Sequence, residues 1–233
     1  MLIKKSQSII YRLLLISLCL FSGACKAENK SGTTENSAIR DAGPDIGYLL
    51  RHYNEIVNVT NVTNPETAIL IDGKDHRLYL VRAQEEGLEI LASYLISASK
   101  YGYGSARGSN QTPWGVHRIA GKYGESQPSG MSFYDRRPTG KIAEIYTDTT
   151  DVDEDPVTSR ILWLEGLEDI NRTSYWRFIY IHGTHEEGLL GTPQSKGCIR
   201  MANKDIIELF DLVAAGTYVN IIRPLSDTET EDK

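Results

Sequence analysis

Apolar residues recur along this chain with two different periods. Between residues 46 and 57 they fall on a single helical face, at Ile46, Leu49, Leu50, Tyr53 and Val57. This spacing is typical of a short amphipathic helix. From residue 68 onward the apolar residues form short runs rich in β-branched and aromatic side chains, which is typical of strands. The pattern therefore predicts one short N-terminal helix followed by a mainly β domain.

Seven apolar runs predict strands, namely Ala68–Ile71, Leu78–Val81, Leu88–Ile96, Val116–Ala120, Ile161–Leu164, Phe178–His182 and Tyr218–Ile222. Residues 72–75 and 84–87 have turn compositions, so the first three runs predict two consecutive hairpins. Residues 97–115 and 121–160 are long and rich in Gly, Pro and Ser. Because long ordered loops often serve function, we expect these two segments to form walls of a substrate site.

A second helix is predicted after residue 202. Asn203 is a candidate N-cap, Gly216 lies just beyond the end, and apolar residues follow helical spacing at Ile206, Leu209, Phe210 and Val213. The expected fold is thus mainly β, a β-sandwich with one helix packed near its end.

The first 24 residues differ from the rest. Lys4, Lys5 and Arg12 precede an apolar run at 13–21, and small residues follow at 22–24. This order is typical of an export signal, and the run is shorter than the ~20 residues that span a bilayer. The sequence around Cys25 resembles a lipobox, which predicts lipidation of Cys25. Ser22 stands where Leu is usual, so cleavage after Ala24 without lipid is the alternative.

The remaining chain divides into a polar tether at 25–45, a short helical segment at 46–66, a domain at 67–223 and an acidic, disordered tail at 224–233. The net charge of −6 and the pI near 5.4 argue against nucleic acid or an anionic membrane surface as a partner. Contact with a membrane is expected only through an N-terminal lipid.

Cysteine usage points to chemistry. Of the three cysteines, Cys19 leaves with the signal and Cys25 becomes the N-terminus, so Cys198 is the lone thiol of the predicted folded region. Exported proteins meet an oxidising compartment. An unpaired thiol is a liability there unless it has a function, although a buried, inert Cys is the plain alternative.

His182 and Cys198 form a candidate catalytic pair, because a thiol reacts as thiolate and needs a base or cation beside it. We therefore expect the pKa of Cys198 to lie below the ~8.5 of a free thiol. Gly183 and Gly197 flank the two residues and let backbone approach a substrate. The N–H groups of Gly197 and Cys198 are candidates for an oxyanion hole.

No metal or other cofactor is predicted. His182, His185 and Cys198 are possible ligands, but their spacing matches none of the usual zinc patterns. His185 is expected to be an exposed polar residue.

The stretch from His182-Gly-Thr to Ser195-Lys-Gly-Cys-Ile-Arg-Met resembles the signature of the YkuD-type L,D-transpeptidase catalytic domain. Residues 69–72 with 78–80 are similar to that family's opening hairpin, residues 112–115 to its Thr-Pro-x-Gly turn, and residues 216–219 to its closing strand. The resemblance covers residues 67–223. It implies a YkuD-like β-sandwich with a short helix after the catalytic Cys.

The resemblance also implies roles. Cys198 is the nucleophile, His182 the base, and the Gly183 carbonyl orients the imidazole. Ser195 and Arg200 shape the site, Arg200 either by binding a substrate carboxylate or by bracing the loop. Many family members carry a second His immediately before Gly-Cys, where this chain has Lys196.

The implied activity is acyl transfer on peptidoglycan stem peptides through a Cys thioester, with an amine or a wall-linked lipoprotein as acceptor. Two alternatives remain: a hydrolase on the same fold, either an L,D-carboxypeptidase or an amidase, and a non-catalytic wall-binding lipoprotein. The export signal predicts a periplasmic protein. Lys26 after Cys25 resembles lipoproteins of the outer membrane.

Overall fold

The computed structural model describes residues 43–224. Two α-helices lie in this range, α1 (Ile46–Thr60) and α2 (Asn203–Leu212), with a 3-10 turn at Glu187–Leu189. The strands, in chain order, are β1 (Ala68–Asp72), β2 (Arg77–Ala83), β3 (Leu88–Ser97), β4 (Gly115–Tyr123), β5 (Met131–Tyr134), β6 (Arg137–Ile142), β7 (Val157–Gly166), β8 (Tyr180–Gly183), β9 (Ile199–Met201) and β10 (Tyr218–Ile222).

The strands form one sheet that closes on itself. Hydrogen bonding runs in the order β4, β10, β1, β2, β3, β9, β8, β7, and β7 pairs again with β4. The pairs β1–β10 and β8–β9 are parallel, whereas the others are antiparallel. The β5–β6 hairpin extends from one end of β7. The predicted mainly β fold with a helix after the strands is confirmed.

The main core lies where the strands face α2. Ile206, Leu209 and Phe210 of α2 pack with Ile181 of β8 and Leu162 of β7. Burial of an aliphatic or aromatic side chain of this size contributes about 1.5–3 kcal/mol. The packing fixes the ends of β7 and β8 relative to α2, which is where the predicted catalytic residues lie.

Helix α1 covers a second apolar surface. Its N-cap Asp45 accepts a hydrogen bond from the Tyr48 N–H at 3.0 Å, and Leu49, Tyr53 and Ile56 are its buried residues. The helix prediction is confirmed, but Ile46 is 39% exposed and does not belong to the buried face. Strand β1 is buried on both sides because α1 lies outside it and the main core inside, which explains its continuous apolar run.

Three strands were not predicted, and each has a local reason. All six residues of β6 are exposed, so no apolar alternation marks them. Strands β5 and β9 have four and three residues, too few for a period to show. The predicted loop 121–160 therefore contains a hairpin. Strand β8 begins at Tyr180, two residues later than predicted, because Phe178 adopts a φ of +57° in the preceding turn.

The N-cap of α2 is Ala202, so the prediction that Asn203 caps this helix is wrong. The side chain of Asn203 is engaged elsewhere in the site. Within the described residues no helix has both the length and the apolar character needed to cross a bilayer. The predicted signal 1–24, Cys25, most of the tether, and the tail beyond Pro224 lie outside the described residues.

Candidate active site

Strands β8 and β9 bring the predicted catalytic residues together. In their parallel register Ile181 lies opposite Ile199 and His182 lies opposite Arg200. Ile181 and Ile199 belong to the main core. Successive side chains of a strand point to opposite faces, so His182 and Arg200, together with Cys198 one step before β9, project from the other face.

The loop before Cys198 is held by backbone and hydroxyl contacts. The N–H of Ser195 donates to the Ala98 carbonyl at 2.9 Å, and the Ser195 carbonyl accepts from the Lys100 N–H at 3.1 Å. The buried Ser195 hydroxyl donates to the Cys198 carbonyl at 2.6 Å. Ser195 thus fixes the backbone that carries the thiol, in line with the shaping role that the resemblance implies.

Gly197 has a φ of +122°, a conformation that favours glycine. Its N–H donates to the Ser195 hydroxyl at 3.2 Å. Because this donor is already engaged, it is not free to bind a substrate oxygen in this arrangement. Of the two predicted oxyanion donors, the structure therefore favours the N–H of Cys198 over that of Gly197.

The Cys198 thiol is partly exposed and forms no disulfide within residues 43–224. The Tyr180 N–H donates to Sγ at 3.4 Å, and the S–H donates to the Phe178 carbonyl at 3.5 Å. Burial raises the pKa of the thiol to about 11, and the Tyr180 N–H opposes this only in part. This direction is opposite to the predicted pKa below ~8.5. The thiol is neutral near pH 7.

The His182 ring is buried, and its Nδ1 lies 2.8 Å from the Gly183 carbonyl oxygen. A carbonyl only accepts, so Nδ1 carries the proton and Nε2 keeps its lone pair. Burial lowers the pKa of His182, while the nearby Asp155 carboxylate opposes the shift. The imidazole is therefore neutral near pH 7, in the tautomer whose Nε2 accepts a proton.

Arg200 is 3% exposed and lies between two carboxylates. Its guanidinium forms ion pairs with Asp155 and, at 2.7 Å, with Glu186. Asp155 lies in the segment between β6 and β7, so the pair ties that segment to β9. Of the two roles that the resemblance implies for Arg200, this geometry favours bracing the loop. Breaking a buried pair typically costs about 3–5 kcal/mol.

Three potential metal ligands meet beside Arg200. Asp155, His185 and Glu186 each place a ligand atom within 4.8 Å of the others. His185 is 4% exposed, so the prediction of an exposed residue is wrong. Sequence spacing cannot reveal this group because Asp155 comes from a distant segment. Both carboxylates are already paired with Arg200, which supplies a positive charge to the cluster.

Asn203 connects the elements around His182. Its Oδ1 accepts from the hydroxyls of Thr158 at 2.7 Å and Ser159, and its Nδ2 donates to the Thr184 carbonyl at 2.7 Å. A Cβ at Gly183 would lie 2.8 Å from this Oδ1, too close for any larger residue. Asn203 and Gly183 therefore fix the backbone carbonyl that orients the imidazole. The sequence pattern predicts no such role for Asn203.

The β5–β6 hairpin reaches the aromatic side of the site through Arg136. The guanidinium lies 4.4 Å from the Trp163 ring centre and donates to the Tyr180 hydroxyl at 2.9 Å. Arg136 has a φ of +63°, which is uncommon for a residue with a side chain and stores strain. Tyr180 in turn donates its N–H to Cys198. Trp163 and Tyr180 form an aromatic wall next to the thiol, and the hairpin covers this wall through Arg136.

A cavity of about 240 Å³ opens beside Cys198. Its lining includes Trp176, Ile179 and three cations, Arg107, Arg177 and Lys196. Arg107 lies in the long loop 97–115 that was predicted to form a wall, while Arg177 lies in the turn before β8. Neither arginine belongs to a motif, so the sequence did not predict a role for them.

Comparison with known proteins gives the family. The model of the YkuD family, the L,D-transpeptidase catalytic domain, matches residues 66–221. The chain belongs to the YkuD family. The resemblance based on the residues around His182 and Cys198 is thereby confirmed.

Individual relatives match over short segments. The chain is 56% identical over 43 residues to the YkuD protein of Bacillus subtilis (strain 168), which is 18% of this chain and 26% of that protein. It is 46% identical over 57 residues to the ErfK/SrfK protein of Escherichia coli (strain K12), which is 24% of this chain and 18% of that protein. The matched segments thus span about a quarter or less of the relatives' length.

A solved L,D-transpeptidase from Mycobacterium smegmatis is similar over 67% of this chain and 58% of its own. The sequence identity is 16% and the TM-score is 0.43.

Proposed function

We propose that this YkuD-family protein is a peptidoglycan L,D-transpeptidase that works through a thioester at Cys198. The observation that supports this most is the pairing of β8 with β9, which puts a neutral imidazole and a partly exposed thiol on the same face of neighbouring segments, with the thiol lining a cavity. The substrate is a stem peptide of the bacterial wall, and the acceptor is an amine. A wall-linked lipoprotein is one possible acceptor of this kind.

The first half-reaction uses His182 as a base. Its Nε2 takes the thiol proton while Sγ attacks the carbonyl carbon of the third peptide residue, diaminopimelate, and a C–S bond forms. The backbone N–H of Cys198 faces the resulting oxyanion. When the C–N bond to the terminal D-alanine breaks, the imidazolium returns the proton to the leaving amine. The products are a thioester on Cys198 and free D-alanine.

The second half-reaction repeats the proton transfers. His182, again neutral, takes a proton from the acceptor amine as its nitrogen attacks the thioester carbonyl. The C–S bond breaks, and the proton returns to the sulfur. Lowering the pKa of His182 by burial suits this cycle because the imidazole is unprotonated at the start of each half-reaction.

Two features favour transfer over hydrolysis. The β5–β6 hairpin covers the aromatic wall through Arg136, and the Arg200–Asp155 pair holds the segment before β7 against the site. Walls that are held in place in this way limit the access of water to the thioester until an amine arrives. We therefore place amine transfer ahead of carboxypeptidase or amidase activity.

The test of this proposal supplies tetrapeptide donor with and without an amine acceptor. Transfer predicts that a cross-linked or amine-exchanged product outcompetes tripeptide, as measured by mass spectrometry of the products. If tripeptide is the sole product at high acceptor concentration, the protein is a hydrolase. If neither product forms while the protein still binds the donor, the non-catalytic alternative holds.

We further propose that the protein is exported and held at the periplasmic side of the outer membrane by a lipid on Cys25. The basic start, the short apolar run and Lys26 support this. Radiolabelled palmitate is expected to enter the wild type and to be absent from Cys25→Ala, which is compared by fluorography. Recovery of unlabelled wild type from the soluble periplasm would show that Ser22 prevents lipidation.

A further inference from the structure

The charged residues that line the cavity beside Cys198 are all positive. Three of its lining residues are cations, Arg107, Arg177 and Lys196, and no Asp or Glu lines it. Arg107 and Lys196 are exposed, whereas Arg177 is half-buried. Such a cavity attracts an anionic group, because clustered charges of one sign in a concave surface raise the local concentration of the opposite charge.

Arg177 is held in place without a counter-ion. Its two terminal nitrogens donate to the carbonyls of Gly104 at 3.1 Å and Gln111 at 2.6 Å. Among the ion pairs of residues 43–224 none involves Arg177. Loss of hydration lowers its pKa, and the nearby Cys198 is what opposes this shift. A partly desolvated cation without a counter-ion is costly, so its presence here points to a function.

Arg200 provides the contrast within the same site. It is a buried arginine whose two terminal nitrogens face the carboxylates of Asp155 and Glu186. The fold thus supplies two counter-ions to the arginine that braces the loop and none to the arginine that lines the cavity. The guanidinium of Arg177 can therefore form an ion pair with a carboxylate of the substrate.

We infer that Arg177, with Lys196 and Arg107 at the cavity edge, binds a free carboxylate of the acyl donor and so places its carbonyl at Cys198. This inference rests on the proposed function. The inference concerns two carboxylates of the donor: that of the leaving terminal residue and that on the diaminopimelate side chain. Both present the same chemistry to a guanidinium, and amidation removes the charge of each one separately.

The experiment measures binding of three peptides to Cys198→Ala: the free tetrapeptide, its C-terminal amide and its diaminopimelate side-chain amide. We expect one amide to bind about 10- to 100-fold more weakly, the range of one charge-assisted hydrogen bond. The weakened amide identifies which carboxylate is bound. Adding Arg177→Gln is expected to remove the difference, while adding Arg177→Lys, which keeps the charge, retains part of it.

Arg172→Gln is the matched control, because Arg172 lies in the same turn region with its side chain 75% exposed and pairs with Asp169. It is expected to leave all three affinities unchanged. Equal affinity for the three peptides overturns the inference, as does an equal loss for all three in Arg177→Gln. If that variant does not fold, Lys196→Gln is expected to reduce the difference about threefold or more, and no reduction counts against the inference. Turnover of the free tetrapeptide by wild type reports on the proposed function separately.

Discussion

Cys198→Ala is expected to fold and to lose turnover completely. Without Sγ no thioester forms, and the two-step route has no substitute in the site. The rate should therefore fall by at least about 10⁴-fold, to the background of the assay. Stability should change by no more than about 1 kcal/mol, because Ala is also apolar and the two hydrogen bonds that the thiol makes, with Tyr180 and Phe178, are long. Product analysis measures the loss of turnover, and thermal unfolding measures the change in stability.

A carbapenem provides a second measurement on the same residue. As an acylating mimic of the substrate, it is expected to add once to the wild type, at Cys198, and not to Cys198→Ala. Peptide mapping by mass spectrometry locates the adduct and separates it from Cys25. An adduct that survives in Cys198→Ala, or turnover retained by this variant, would refute the nucleophile assignment.

His182→Gln is expected to lower kcat/KM by about 10²- to 10⁴-fold, the usual contribution of a positioned base. The wild-type rate should depend on pH through the same residue. A base must be unprotonated, so activity is lost as pH falls through the pKa of His182, which burial holds below its ordinary value. The profile should therefore be flat from about pH 7 to about pH 9, with the decline below pH 6.5.

His185→Gln is the matched control, since His185 is also buried but both its ring nitrogens lack a hydrogen-bond partner. It is expected to keep most of the activity. Alkylation of Cys198 gives an independent readout: its rate should rise about tenfold per pH unit toward the thiol pKa of about 11, in wild type and His182→Gln alike. A plateau below about pH 8.5 in wild type would instead reveal a preformed thiolate–imidazolium pair.

The sequence predicts those strands whose burial produces a recognisable pattern of apolar residues. Strands β1, β2 and β10 are buried along most of their length, and their apolar runs mark them clearly. The exposed β6 has no such pattern, because none of its six side chains reaches a core. Closure of the sheet through β4 and β7 depends on pairing between segments that are distant along the chain, which no local period encodes.

The candidate site likewise combines a part that the local sequence predicts with a part that depends on distant segments. The motif around His182 and Cys198 is local and places His182 on β8 and Cys198 directly before β9. The electrostatic environment is not local: Asp155, Arg136 and Arg177 reach the site from three segments that lie outside the motif. The raised pKa of Cys198 follows from burial in this environment. The general expectation that a reactive thiol has a lowered pKa therefore predicts a shift in the opposite direction.

The central claim is an acyl group carried on Cys198, and rapid-quench intact-mass measurement tests it most directly. Protein mixed with stem tetrapeptide is expected to gain the mass of the tripeptide acyl group at Cys198, to release D-alanine in equal amount, and to lose the added mass when an amine acceptor is supplied. Turnover of the tetrapeptide with no such species at any quench time, or with the added mass on another residue, would contradict the account.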